Sequence, residues 1–415
     1  MPKAVVIISA LRITEFTTAA AVRIHYIAKA IKAEGIEVFL WPVDRVLSMK
    51  APSTVIFGEE IYQLIPPKVT LPEKWRYRLY RRLAPIYSFL FTIRLVRYLR
   101  TKELKTVIYH YPSGDISLDL MLLIFRRLKL LPAIFADINE LRNADNEVMV
   151  GGNLVQKTFA IKYKNLFISL KYMISDALPR FYDGLIVIST ALKEYFHYYN
   201  HEILLIPILA DVHEFPLVHN SKEESKPFQI CYSGTLSIAR EGFECFLHAI
   251  SLIRKFRPLV ELHCYGTIPE FEKDLILEIL PKKYGLEHSF IHHGFFQNHD
   301  EVLQLMKSYH LLVMLRSGSK QNTYSFPTKL SEYMVSGVPV LANDVGDISL
   351  YLKDGINAFV VPPDEPVLMA DKIRFIIDNY CGMNEIVTKN AFQTAKVHFS
   401  YQLYGEKIAD FFFKN

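Results

Sequence analysis

The chain has 415 residues, about three times the common domain size, so at least two domains are expected. Hydrophobic residues make up 51% and charged residues 22%, which excludes wholesale disorder and collagen-like structure. The net charge is a modest +5, and the four cysteines form no C-x-x-C pair, so neither a zinc knuckle nor a disulfide framework is expected and a reducing cytoplasm suits the chain.

The opening MPKAVVIISALRI has a basic residue and a short apolar run, but Arg12 ends the run and no small-residue cleavage site follows. A first buried strand over 3–9 is the expectation, not a signal peptide. Residues 18–34 read as a helix that Gly35 ends, and 36–41 as a second strand. Across 74–105 there are ten basic residues and one acid, Glu103, a net +9 that leaves −4 for the rest. Trp75, Tyr77, Tyr80, Tyr87, Phe89, Phe91 and Tyr98 interleave these charges. The most apolar part, 83–93, is 11 residues long and holds Pro85. A membrane span needs about 20 residues, so this stretch cannot cross a bilayer. Its composition suits an interfacial helix on anionic lipid, at about 1 kcal/mol per basic residue near the surface. Residues 156–172 form a second such stretch, with Lys157, Lys162, Lys164 and Lys171 among Phe and Leu. Nucleic acid attracts the same charge, but no nucleic-acid motif accompanies it, so no such partner is expected. The ordinary alternative is a set of solvated helix faces.

Strands follow over 106–110, 132–136, 184–189 and 203–208, with helical stretches between them. The polar segment FPLVHNSKEESKP, 215–227, is bracketed by prolines and reads as a linker. Beyond it, short apolar strands over 229–233, 259–265, 289–293, 311–315, 339–342 and 358–361 again alternate with helices. Continuous apolar strands between helices imply parallel sheets covered on both faces. The predicted fold class is therefore α/β, with two doubly wound Rossmann-like domains, 1–214 and 228–398, facing across a cleft. Ligands in such sheets bind outside the carboxyl ends of the strands.

Chemistry concentrates in 322–344, NTYSFPTKLSEYMVSGVPVLAND. Pro327 suits the first turn of a helix, and Gly337 with Pro339 marks its end. At about 100° per residue, Leu330, Tyr333 and Met334 share an apolar face while Lys329, Glu332 and Ser336 share a polar one. Free N–H groups near Ser325, Phe326 and Thr328 would suit a phosphate, and the Glu332 carboxylate one turn on would suit ribose hydroxyls. An ordinary surface helix with a Lys329–Glu332 i,i+3 pair fits the same letters.

From 229 to the end the sequence resembles the second domain of the GT-B glycosyltransferases of family 4, glycosyl transferases group 1. SFPTKLSEYMVSGVPVLA is similar to the family helix that carries two glutamates with seven residues between them, and 346–366, GDISLYLKDGINAFVVPPDEP, to the tail of that motif. YDGLIVISTALKEYF (182–196) and LIPILADVHEF (205–215) extend the likeness into the first half. The resemblance implies a nucleotide-sugar donor, a retaining reaction, a final helix over 399–415 that packs back on the first domain, and no metal or other cofactor. It implies that Glu332 holds the ribose and that the loops at Gly234 and Gly266 approach the nucleotide; Gly294 matches a further turn beside the base. Departures accompany the matches. The first glutamate of the pair falls at Tyr324, and the family's basic pair falls at Thr235 and Glu241, leaving Arg240 or Lys329 as the cation for the diphosphate. Asn139 in FADINEL (135–141) stands where the family carries an active-site histidine, and His110 in IYHYPSG matches another strand end. Arg316 follows a strand end and is a weaker candidate for the diphosphate; Asp344 and Asp347 are not expected to bind metal.

The expected catalytic set is thus Glu332, Lys329, Arg240, His110 and Asn139, and the donor-binding set Gly234, Gly266, Ser325, Phe326, Thr328 and Glu332. The expected activity is hexosyl transfer from a nucleotide-sugar to a glycan acceptor, lipid-linked, in cell-surface polysaccharide synthesis. The expected location is cytoplasmic, on the inner face of an anionic membrane through 74–105 and 156–172. A non-catalytic partner of the same fold and a sugar-nucleotide epimerase are the alternatives.

Overall fold

β1 (Lys3–Ser9) is apolar from Ala4 to Ile8 without alternation, and all of these side chains are buried, as a strand covered on both faces requires. The structure, a computed structural model, describes residues 1–9, 19–42, 54–57, 60–64, 73–112, 115–141, 170–212, 227–257, 259–295 and 299–414. The expected linker lies outside these residues except for Pro227, and the basic stretch over 156–172 except for its last three residues.

The chain divides into two compact units, Met1–Ile206 with Tyr401–Asn415, and Pro207–Ser400. The division falls at Ile206 and not at the expected 214 because the next residues are hydrogen-bonded into the second unit. Ala210 N–H donates to Phe399 O (2.8 Å), and Ser331 Oγ donates to Leu209 O (3.5 Å).

In the first unit, β2 (Glu37–Pro42), β3 (Thr54–Phe57), β4 (Glu60–Leu64), β5 (Lys105–Tyr111), β6 (Ile134–Ile138), β7 (Gly184–Val187) and β8 (Ile203–Leu205) join β1. The sheet runs β3-β4-β2-β1-β5-β6-β7-β8. Every pairing is parallel except β3 with β4, an antiparallel edge that the sequence reading did not foresee. Helix Gly405–Phe413 closes this unit. Its Phe411 and Phe412 rings sit 5.1 and 4.8 Å from that of Phe135 on β6. Phe411, Phe412 and Phe413 are buried, each contributing about 1.5–3 kcal/mol.

The second unit has β9 (Phe228–Ser233), β10 (Val260–Tyr265), β11 (Phe290–His292), β12 (Leu311–Met314), β13 (Val340–Asn343) and β14 (Phe359–Val361). All pair in parallel in the order β11-β10-β9-β12-β13-β14. Strand order reverses between β9 and β12. That reversal leaves a crevice at the carboxyl ends of these two strands, the place where doubly wound sheets take ligands.

Candidate functional site

Three glycine turns follow β9, β10 and β11 and are locked to one another. Gly234 N–H donates to Tyr265 O (2.9 Å), Leu236 N–H to Thr267 O (2.9 Å) and Gly266 N–H to Gly294 O (2.7 Å). Gly266 has φ 136°, and a β-carbon there would lie 1.8 Å from Gly234 O. Only a residue without a side chain allows this approach. The expected donor loops at Gly234 and Gly266 are therefore one backbone layer.

The loops on either side of the reversal are joined as well. Ser237 caps the short helix Ile238–Glu241 by accepting from Arg240 N–H (3.4 Å). Ser317, in the loop after β12, donates to Ala239 O and Arg240 O at 2.8 and 2.9 Å, and Asn322 Nδ2 donates to Arg240 O at 2.7 Å. Arg316 is buried, and its Nη1 donates to Asn322 Oδ1 and Ser325 Oγ, both at 2.7 Å. Through Nη1 it braces the loop from within. Arg240 is an exposed cation of these loops, with Nε 3.6 Å from Glu241 Oε1. Burial pushes the Glu241 carboxyl up; Arg316 and then Arg240 oppose that rise.

Helix Leu330–Val335 begins three residues later than the sequence suggested. Leu330 N–H reaches back to Pro327 O (3.2 Å), so 327–330 is a turn that precedes the helix. Every residue from Leu330 to Val335 is buried, so the anticipated polar face does not look onto solvent. Glu332 is 5% exposed, and its Oε2 lies 3.2 Å from Lys329 Nζ, so the i,i+3 ion pair forms beside a largely buried carboxylate. Tyr333 fixes the helix to the end of β9: Ser233 N–H donates to its hydroxyl at 2.9 Å, and the hydroxyl donates to Ser233 O at 3.3 Å. Tyr333→Phe should therefore cost about 1–3 kcal/mol in urea unfolding, because it orphans a buried N–H. A cost below a few tenths would show that the helix is held by apolar packing alone. Ser325 is buried and accepts from Arg316, while the Phe326 ring is buried 5.5 Å from that of Tyr351 and 6.2 Å from that of Phe399. Phe326 therefore has only its main chain to offer a ligand. Thr328 and Lys329 are partly exposed.

The first unit places its two candidates differently. His110 is 1% exposed, with Nε2 2.6 Å from Asp119 Oδ1 on the helix Ile116–Arg127 and its ring beside Tyr182. It stands at the carboxyl end of β5, with Nε2 engaged by Asp119 in the first turn of that helix. Asn139 follows the end of β6, near Tyr111. Below it lies a group that the sequence reading missed. Arg23, fully buried on helix Ala19–Ala33, donates Nε to Asp137 Oδ2 (2.9 Å) and Nη2 to Oδ1 (3.1 Å), and Tyr109 Oη donates to the same carboxylate. An arginine in register with Ile27, Ala30 and Ile31 on the apolar face was the available signal.

Residues 227–379 match the family model described as Glycosyl transferases group 1, the segment that holds the glycine turns, Arg240, Lys329 and Glu332. No curated protein matches the chain significantly. Among solved structures, sucrose-phosphate synthase from Thermosynechococcus elongatus is 15% identical with 98% of each chain covered and a TM-score of 0.70. HepE from Anabaena, solved in complex with UDP and glucose, is 16% identical with 98% of each chain covered and a TM-score of 0.65. A glycosyltransferase from Rickettsia africae is 13% identical, covers 100% of this chain and 99% of its own, and has a TM-score of 0.64. The family match thus covers the second unit, and the solved structures share this chain's fold of two doubly wound sheets.

Proposed function

We propose that the protein transfers a hexosyl group from a nucleotide-diphosphate sugar to a lipid-linked glycan acceptor, with retention, in cell-surface polysaccharide synthesis at the cytoplasmic face of a membrane. The observation that carries this reading is the buried Glu332 carboxylate beside Lys329, on a helix that Tyr333 pins to the end of β9. A carboxylate held there accepts hydrogen bonds from ribose hydroxyls, and the nearby cations offset charge on the diphosphate. In the reaction the acceptor hydroxyl oxygen bonds to the anomeric carbon as the bond from that carbon to the phosphate oxygen breaks. The diphosphate leaves with the electron pair and the hydroxyl proton is released. Lys329 and Arg240 stabilise the departing charge. Retention and the acceptor class rest on the family resemblance. The UDP bound by HepE makes UDP the first nucleotide to try. The proposal includes no resident metal, so chelation with EDTA should leave turnover unchanged.

The test is thermal stabilisation by UDP, GDP, ADP and CMP, on the parent and on Glu332→Ala, together with product formation from the matching sugar donor. One nucleotide at about 100 times its dissociation constant should add about 2.7 kcal/mol to the parent. Loss of the ribose contacts in Glu332→Ala should weaken binding by about tenfold to a hundredfold, the worth of a hydrogen bond to a charged group. Stabilisation by none of the four would overturn the reading in favour of a non-catalytic partner. Donor conversion without an acceptor would point to an epimerase.

A further inference from the structure

Helix Glu73–Arg100 has two faces. Ser88, Thr92, Leu95 and Val96 are buried, and the Phe91 and Tyr98 rings pack on Trp41 of β2 at 5.7 and 5.4 Å. These two half-buried aromatics thus spend part of their ring area on the core and not on the outer face. On the opposite stripe Ile86, Phe89 and Leu90 are exposed, and Arg97, one further repeat along the same stripe, is exposed too. The neighbouring helix Ile116–Arg127 repeats the arrangement. Leu120 and Ile124 are exposed at i,i+4 spacing, and Leu128, Arg127 and Lys129 are exposed at its end.

The Phe89 and Phe125 rings meet at 5.8 Å, so the two apolar stripes lie side by side. Both helices lead into parallel strands, β5 and β6, and their carboxyl ends therefore lie at the same edge of the sheet. Arg97, Arg100, Arg127 and Lys129 accordingly gather at one border of the apolar area. The carboxylate that interrupts the second helix, Asp119, is turned inward onto His110. Arg126 is likewise engaged, donating to both Asp183 oxygens (2.9 and 2.8 Å), and this pair holds the helix to the segment entering β7.

We propose that this two-helix face of the first unit docks on an anionic lipid bilayer, with Ile86, Phe89, Leu90, Leu120, Ile124 and Leu128 entering the headgroup boundary. An exposed apolar area of this kind on a chain folded in water marks an interaction surface. The border cations outnumber the exposed Glu103 beside Arg100 and select an anionic partner, and paired apolar stripes on two adjacent helices suit lipid better than a peptide. Among the described residues no helix is long and apolar enough to cross a membrane, so this face is how the unit would hold the surface. The inference deepens the lipid-linked acceptor of the proposed function and rests on that reading for its biological sense. Its physical content stands on the face alone.

Flotation of the intact protein with vesicles of phosphatidylglycerol and phosphatidylcholine, against phosphatidylcholine alone, tests it. The parent should float with the anionic vesicles and stay behind with the neutral ones. Phe89→Ser/Ile124→Ser and, separately, Arg97→Glu/Arg127→Glu should each lower the partition coefficient by about tenfold or more. Unchanged thermal melting and unchanged nucleotide stabilisation would show that both variants remain folded. Equal flotation of parent and variants, or none by the parent, overturns the proposal. So does concentration-dependent dimerisation that the variants abolish, since a second copy would then cover the face. Glu332→Ala should float like the parent, so failure of the donor site and failure of the lipid face give different results.

Discussion

Gly266→Ala is expected to destabilise the second unit by more than about 4 kcal/mol, at the exceptional end for a single substitution, because the added carbon meets an obstacle that cannot move. The obstacle is backbone. A β-carbon at 266 would lie 1.8 Å from Gly234 O and 2.8 Å from the Gly234 carbonyl carbon. The φ of 136° adds about 1–3 kcal/mol of conformational strain for any residue with a side chain. Neither turn can back away cheaply. Gly234 N–H is bonded to Tyr265 O and Gly266 N–H to Gly294 O, and His292 Nε2 lies 2.9 Å from Gly266 O. Relief of the clash therefore means separating the turns after β9 and β10 and breaking the bonds that register them. Urea unfolding gives the total, and hydrogen exchange at β9, β10 and β11 locates it. Gly285→Ala is the control: its φ is 66° but nothing lies within 4 Å of the added carbon, so about 1 kcal/mol is expected. If the two substitutions cost the same, backbone crowding is not what holds the glycine layer.

How much of this was readable from sequence depends on which physical signal carried it. The six strands of the second unit each sit within a few residues of an apolar run bounded by turn residues, because a strand buried on both faces must be apolar throughout. β3 and β4 gave no such signal: TVIF and EIYQL are short, and an antiparallel edge needs no covering on its outer side. The helix with Glu332 was legible from Pro327 and Gly337, but its burial was not. One apolar stripe in the letters does not reveal that Glu332 and Ser336 on the polar side are buried too. The side-chain surroundings of His110 and Phe326 were illegible for a related reason. Sequence places a residue at a strand end or before a helix, whereas the direction of its side chain follows from strand register and from what packs there. Arg316 shows the same limit, since the letters place it after β12 but do not show its Nη1 donating to Asn322 and Ser325.

Arg23→Met should cost about 3–5 kcal/mol, because it leaves the Asp137 carboxylate in the core without its cation. The two charges are 114 positions apart in sequence and meet where helix Ala19–Ala33 crosses β6, so the cost falls on a long-range contact. Tyr109 also donates to Asp137, and burial, followed by that carboxylate, holds its phenol well above the ordinary range, so it stays a donor. One remaining neutral hydrogen bond cannot replace a bidentate charged pair. Asp137→Leu should cost a similar amount by stranding the guanidinium instead. The double variant Arg23→Met/Asp137→Leu removes both charges together and should be far less destabilised than the two single losses combined, by about 2–3 kcal/mol of coupling. Urea unfolding of the four proteins measures that coupling directly, and strictly additive losses would show that the pair contributes packing volume and no electrostatic lock. Asn139, proposed for the catalytic set, lies two residues beyond Asp137. Under the proposed function, a first unit whose β5 and β6 ends are no longer held should lose acceptor-dependent turnover, while nucleotide stabilisation of the second unit, with its separate core, should persist.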